Sequence, residues 1–136
     1  MRYGRLTTTA KKKPRREEHH LQAKFLAELT PRLRGDIYVY AIPNGGFRLK
    51  SEAVRLKAEG VVRGPTDLFF LCPGGQTAWL ETKTTARGSV LSDEQLGFKA
   101  RCLRNGHLWG VYRTVDEGMA QLSAWGFLKG DGNGRS

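Results

Sequence analysis

Three charged residues, Asp67, Glu81 and Lys83, are spaced so that a β-hairpin brings them to one spot. Asp67 opens the apolar run Leu68–Cys72, and a second run, Ala78–Leu80, leads into Glu81-Thr82-Lys83. A three-residue turn at Pro73-Gly74-Gly75 pairs Cys72 with Gln76, and the ladder then sets Asp67 opposite Glu81. Opposed residues share a face with Cβ atoms about 4.5–5.5 Å apart, where like charges repel. Such a pair calls for a cation. Side chains alternate along a strand, so Lys83 returns to the face of Glu81 roughly 6–7 Å further on. A two-residue loop would oppose Asp67 to Thr82 and send the acids to opposite faces, so the arrangement depends on register.

Two carboxylates beside a lysine suit a hard divalent cation, Mg²⁺ or Mn²⁺. On a phosphodiester such an ion polarises a non-bridging oxygen, lowers the pKa of a bound water and offsets charge on the leaving oxygen. Lys83 could hold the attacking water or the charge developing on phosphorus oxygens. The chain has 23 Lys and Arg against 13 Asp and Glu, a net charge of +10 and a pI near 10.1. That excess is the footprint of a polyanionic partner, usually nucleic acid. A nuclease and a basic binding module without catalysis both fit at this level.

The elements that must position these residues follow from the pattern around them. Length allows one domain with a single core. No run approaches the roughly 20 apolar residues of a membrane span, and the basic amino terminus lacks the apolar core of a signal peptide. Cys72 and Cys102 stand alone, which suggests two free thiols in a reducing compartment and argues against a cysteine zinc site. Residues 1–16, with seven Lys and Arg and no acid, are expected to form a disordered basic arm able to lie along phosphates.

From Glu17, Leu21, Phe25 and Leu29 fall at helical spacing until Pro31 stops the helix. Glu17 and Glu18 read first as acids complementing the helix dipole, although Glu18 stands at the edge of the buried stripe. His19 and His20 read as surface residues. Ile37–Ile42 is a strand, broken by Pro43-Asn44-Gly45-Gly46. A short helix from Ser51 as N-cap to about Glu59, with Gly60 as its stop, is surrounded by Arg48, Lys50, Arg55, Lys57 and Arg63, candidates for DNA phosphates. Arg87 joins them on the polar loop Thr84–Val90. Ser92-Asp93-Glu94-Gln95 has capping-box spacing and opens a helix with Leu96, Ala100 and Leu103 as its expected buried face. His107–Arg113 is a strand, and Thr114–Glu117 starts a last helix packed through Met119, Leu122 and Trp125. Residues 129–136 are expected to be a disordered tail. This order predicts an α/β fold, a mixed central sheet flanked by helices.

Pro43-Asn44-Gly45-Gly46, Glu52–Val61, Gly64-Pro65-Thr66-Asp67-Leu68, Glu81-Thr82-Lys83 and Leu91–Gln95 together resemble the VRR-NUC nucleases, a branch of the PD-(D/E)xK superfamily, in order and spacing. The resemblance covers roughly residues 17–125. It implies a restriction-endonuclease-like core over residues 17–128, with Asp67, Glu81 and the Thr82 backbone carbonyl as metal ligands. Lys83 is implied as the catalytic lysine, Gln95 as the active-site glutamine, and Glu18 as the first-helix glutamate that joins the metal site. Glu18 matches better than Glu17 because Leu21-Gln22 follows it. One departure is that the proline stands at Pro65, with Thr66 between it and Asp67. The small stand-alone members, of bacteria and phages, are similar to Holliday-junction resolvases. This implies a homodimeric, Mg²⁺- or Mn²⁺-dependent endonuclease cutting branched DNA in a bacterial or phage-infected cytoplasm, with a role in DNA repair. Flaps, nicked duplexes or single strands are the alternative substrates.

Overall fold

Alternation in the two apolar runs sets the register of the sheet. Leu68, Phe70, Ala78 and Leu80 are fully buried, while Phe69, Leu71 and Trp79 between them face the other way. The computed structural model describes residues 2–43 and 50–131, with side chains from residue 16 onward. Its elements in chain order are α1 (Arg2–Leu29), β1 (Tyr38–Ala41), α2 (Lys50–Ala58), β2 (Leu68–Leu71), β3 (Thr77–Thr82), α3 (Asp93–Arg104), β4 (Leu108–Tyr112) and α4 (Val115–Ala124).

The four strands lie side by side in chain order. β1–β2 and β2–β3 are antiparallel and β3–β4 is parallel. Parallel neighbours need a crossover connection, which α3 supplies. The fold is α/β, a mixed sheet flanked by helices, as expected. No helix among the described residues is long and apolar enough to cross a membrane.

Phe25 and Leu29 of α1, Leu68, Phe70, Leu80 and Tyr112 of the sheet, and Met119 and Leu122 of α4 form the core together with Phe127 and Leu128. Gly118 brings α4 close to α1. A Cβ there would stand 2.6 Å from the Phe25 ring, which itself lies 4.6 Å, centroid to centroid, from Tyr112.

The β2–β3 register is the one expected. Leu68 pairs with Leu80 and Leu71 with Thr77, and Cys72 N–H donates to the Gln76 carbonyl at 3.0 Å across the Pro73–Gly75 turn. Gly74 and Gly75 take φ of 76° and 78° there, conformations disfavoured for any residue with a Cβ.

Several expectations are corrected. The first helix extends to Arg2, through the segment expected to be a disordered arm. Each residue added to an existing helix gains a hydrogen bond without a new nucleus, and only Pro14 lacks the N–H to do so. Ser51 lies inside α2, which begins at Lys50, so it is not the N-cap. Gly60 does stop the helix, with φ of 100°, Gly60 N–H on the Lys57 carbonyl and Val61 N–H on the Leu56 carbonyl, a Schellman closure.

In α3 the expected inward stripe Leu96, Ala100 and Leu103 is exposed, and Gln95, Phe98, Lys99 and Cys102 face the sheet instead. Phe98 meets Trp79 at 5.0 Å, and Lys99 Nζ lies 5.1 Å above the Trp109 ring. The carboxyl-terminal segment is anchored as far as Asp131. Lys129 N–H donates to the Arg32 carbonyl, and Asp131 accepts from Leu128 N–H. The rest of the expected tail, residues 132–136, lies outside the described residues, as do residues 44–46 of the Pro43 turn and Arg48.

Candidate active site

Continued one step outward, the pairing of Leu68 with Leu80 sets Asp67 against Glu81. Asp67 stands just before β2, where β3 runs on with β4 on one side but no β2 residue paired on the other, and its Oδ2 accepts the Thr82 backbone N–H at 2.8 Å. The acid thus replaces the missing strand. Lys83 N–H turns the other way, to the Tyr112 carbonyl of β4. Since the N–H and C=O of one residue leave a strand on the same side, the Thr82 carbonyl also turns to the side of Asp67.

Glu81 is 3% exposed. Its Oε2 accepts from Gln95 Nε2 at 2.9 Å, while Oε1 is buried with no hydrogen-bond partner among the described residues. Burial first, and the nearby Asp67 charge second, push the Glu81 carboxyl up to about 9. The hydrogen bond that a protonated Glu81 offers Asp67 adds to the rise, Lys83 opposes it and Glu18 reinforces it. A carboxyl in this setting holds either a proton or a cation.

Gln95 serves two elements at once. Ser92 Oγ accepts from Gln95 N–H at 3.1 Å, and Gln95 Oε1 accepts from Ser92 N–H at 2.8 Å, completing the capping box of α3. Only the amide oxygen can accept from Ser92 N–H, so the box fixes the amide orientation and aims Nε2 at Glu81. Gly64, with φ of 115°, permits this approach, since a Cβ there would lie 2.7 Å from the Glu94 carbonyl oxygen.

Glu18 is the helix acid within electrostatic reach of Lys83 and Asp67. Burial raises its pKa, Lys83 lowers it and Asp67 raises it again. Ser89 Oγ, 3.4 Å from Glu18 Oε2, ties it to the loop after β3. That loop is closed from behind by Arg113, whose Nη1 donates to the carbonyls of Thr84 at 2.7 Å and Ser89 at 2.6 Å. Beneath the site, Thr82 Oγ1 lies 2.8 Å from the Tyr112 hydroxyl and 3.2 Å from Gln22 Oε1. Gln22 Oε1 can only accept, so Tyr112 donates to Thr82 and Thr82 to Gln22. Burial keeps the Tyr112 phenol protonated.

Glu18, Asp67, Glu81, Lys83 and Gln95 are thus brought together from two helices and a hairpin. Ser89, Arg113, Gln22 and Tyr112 support them; of these four only Gln22, in the Leu21-Gln22 pair after Glu18, belongs to a pattern read from the sequence. Of the expected phosphate contacts, Lys50, Arg55, Lys57, Arg63 and Arg87 are exposed. Arg55 makes a 3.4 Å surface pair with Glu59, of a kind worth little in water.

Among the described residues, no three His, Cys, Asp or Glu side chains form a ready metal cage. The donor set still fits a small hard cation. Mg²⁺ is commonly held by one or two carboxylates with waters completing its shell, and the Glu81 oxygen without a partner is such a donor. Fold and site define an α/β protein with a buried carboxylate centre and several exposed basic side chains. No protein-family model matches the chain, and comparison with curated proteins and with solved structures also finds no match.

Proposed function

We propose that this chain is a metal-dependent DNA endonuclease of the VRR-NUC type, with a restriction-endonuclease-like core, that hydrolyses phosphodiester bonds in branched DNA such as four-way junctions. The observation that carries this reading is the buried Glu81 carboxylate, with one oxygen unpartnered, facing Asp67 and Lys83 beside Glu18 and Gln95.

In this reading Asp67, Glu81 and the Thr82 carbonyl, joined by Glu18, would hold a Mg²⁺ or Mn²⁺ ion. When bound, the ion supplies Lewis-acid polarisation of a phosphate oxygen and a water of lowered pKa. The remaining work falls to the chain. The Thr82 N–H orients Asp67, and the Gln95 amide holds Glu81 so that its other oxygen faces the centre. Lys83 places its ammonium where negative charge develops on phosphorus. Lys50, Arg55, Lys57, Arg63 and Arg87 neutralise flanking phosphates, a contribution that positions DNA without reading its sequence.

Cutting both strands of a junction symmetrically needs two such centres about a twofold axis, so the active form in this reading is a homodimer in the cytoplasm. Labelled junction, flap, nicked, single-stranded and intact duplex DNA, each incubated with Mg²⁺, Mn²⁺ or chelator, test the proposal. Metal-dependent cleavage of branched substrates that disappears in Asp67→Ala or Lys83→Ala is expected. Cleavage unchanged in Asp67→Ala would refute the site. No metal binding and no cleavage with either ion would leave a DNA-binding module that retains the fold.

A further inference from the structure

The sheet register places a row of aromatic residues on the face that carries the acids. Tyr40 pairs with Phe69, Phe69 with Trp79, and Trp79 with Trp109, so one aromatic side chain comes from each strand. Phe69 is two residues from Asp67 and Trp79 two from Glu81, which puts the row on the same face as both acids, roughly 6–7 Å away along the strands. α3 covers the β3–β4 half of this face through Phe98 and Lys99.

Among the described residues the β1–β2 half is uncovered. Tyr38 is 64% exposed, Tyr40 46% and Leu71 52%. The rings run on without a break, with centroids 5.9 Å apart from Tyr38 to Tyr40, 5.3 Å to Phe69 and 4.5 Å to Trp79. This strip is continuous with the proposed catalytic face, and the chain bears a net charge of +10, which favours a polyanion over a second basic copy.

We infer that Tyr40 and Tyr38 form a stacking surface for unpaired bases of the DNA strand held at Asp67 and Glu81. The inference rests on the nuclease reading for the course of that strand. From Asp67, Tyr40 is one strand across and two residues along, about 8 Å, and Tyr38 about 14 Å. Aromatic side chains on an open sheet stack bases with little regard to sequence. An intact duplex hides its base faces except at ends and branch points, so this surface favours strands that have separated. It supplies a preference for DNA structure that phosphate contacts lack.

The test is binding in chelator, where no cleavage occurs. The probes are a fluorescent oligothymidine, an abasic oligonucleotide of equal length and charge, and a blunt duplex. Tyr38→Ala and Tyr40→Ala are each expected to weaken oligothymidine binding by about 5- to 100-fold, to leave the abasic strand and duplex unchanged, and Tyr40→Phe is expected to bind as the unaltered chain does.

Equal oligothymidine affinity in both alanine variants overturns the inference, and so does an equal loss on the abasic strand. A dimer that becomes monomeric by light scattering in the alanine variants also overturns it, by making the strip a subunit interface. Should the variants unfold, photocrosslinking of iodouracil-substituted single strand to the unaltered chain decides, with adducts expected on Tyr38 or Tyr40 and their absence counting against. Stacking without any metal-dependent cleavage would sink the nuclease reading and leave the strip standing; cleavage without stacking would do the reverse.

Discussion

Replacing Glu81 by Gln keeps the shape of the side chain and removes the charge that its surroundings oppose. Unfolded, this carboxyl titrates near 4.5, and in the fold it is pushed up to about 9. Between those values the folded chain binds a proton that the unfolded chain has released, so metal-free stability is full below pH 4.5 and falls as pH rises towards 9. At about 1.4 kcal/mol per pH unit the ceiling at pH 8 is about 5 kcal/mol, and relaxation of the site leaves on the order of 2 kcal/mol.

The amide of Glu81→Gln can still accept from Gln95 and can donate to Asp67. Thermal unfolding in chelator is therefore expected to rise by roughly 5–15 °C at pH 8 and by little at pH 4.5. Mg²⁺ should then stabilise the unaltered chain at pH 8 but not the variant. A melting shift that is the same at both pH values, or a loss of stability at pH 8, would refute the account of Glu81.

Other substitutions probe the supports. Gln95→Met removes the amide that the Ser92 backbone N–H holds and that donates to Glu81 Oε2. Reduced cleavage at saturating metal and DNA is expected, and activity matching the unaltered chain would show that Glu81 needs no such fixing. Gly118→Ala drives a methyl group into the Phe25 ring, so a loss of about 1–3 kcal/mol in urea unfolding is expected despite better helix propensity. Arg113→Ala releases the Thr84 and Ser89 carbonyls. Faster amide exchange across residues 84–90 should accompany weakened cleavage, and unchanged exchange would place the loop's restraint elsewhere.

Much of this arrangement was legible in the residue pattern, and the exceptions have physical causes. The hairpin register followed from Pro73-Gly74-Gly75 and from apolar positions that alternate on both sides of it. The capping role of Gln95 followed from its spacing to Ser92. Its bond to Glu81 did not, because that depends on which face α3 turns to the sheet. Leu96 and Leu103 made one stripe and Phe98 and Cys102 another, and periodicity does not choose between them. The choice falls to contacts distant in sequence, Gln95 with Glu81 and Phe98 with Trp79. Glu17 and Glu18, as neighbours on a helix, differ by about 100° in direction, so which of them turns towards Lys83 and Asp67, as Glu18 does, depends on how the helix docks. Tyr112 read as strand bulk, since nothing local shows that its hydroxyl ends beneath Thr82.

The seat of Phe25 between Tyr112 and Gly118 also bears on the birth of the protein. α1 is made early during synthesis, yet Tyr112 and Gly118, against which its Phe25 packs, lie on β4 and α4, which follow every other element described. Glu18 can take its place beside Asp67 and Lys83 only after those late segments have been made. Until then the hairpin acids lack their helical neighbour. Packing α1 against β4 and α4 makes assembly of the proposed site wait on the last helix described.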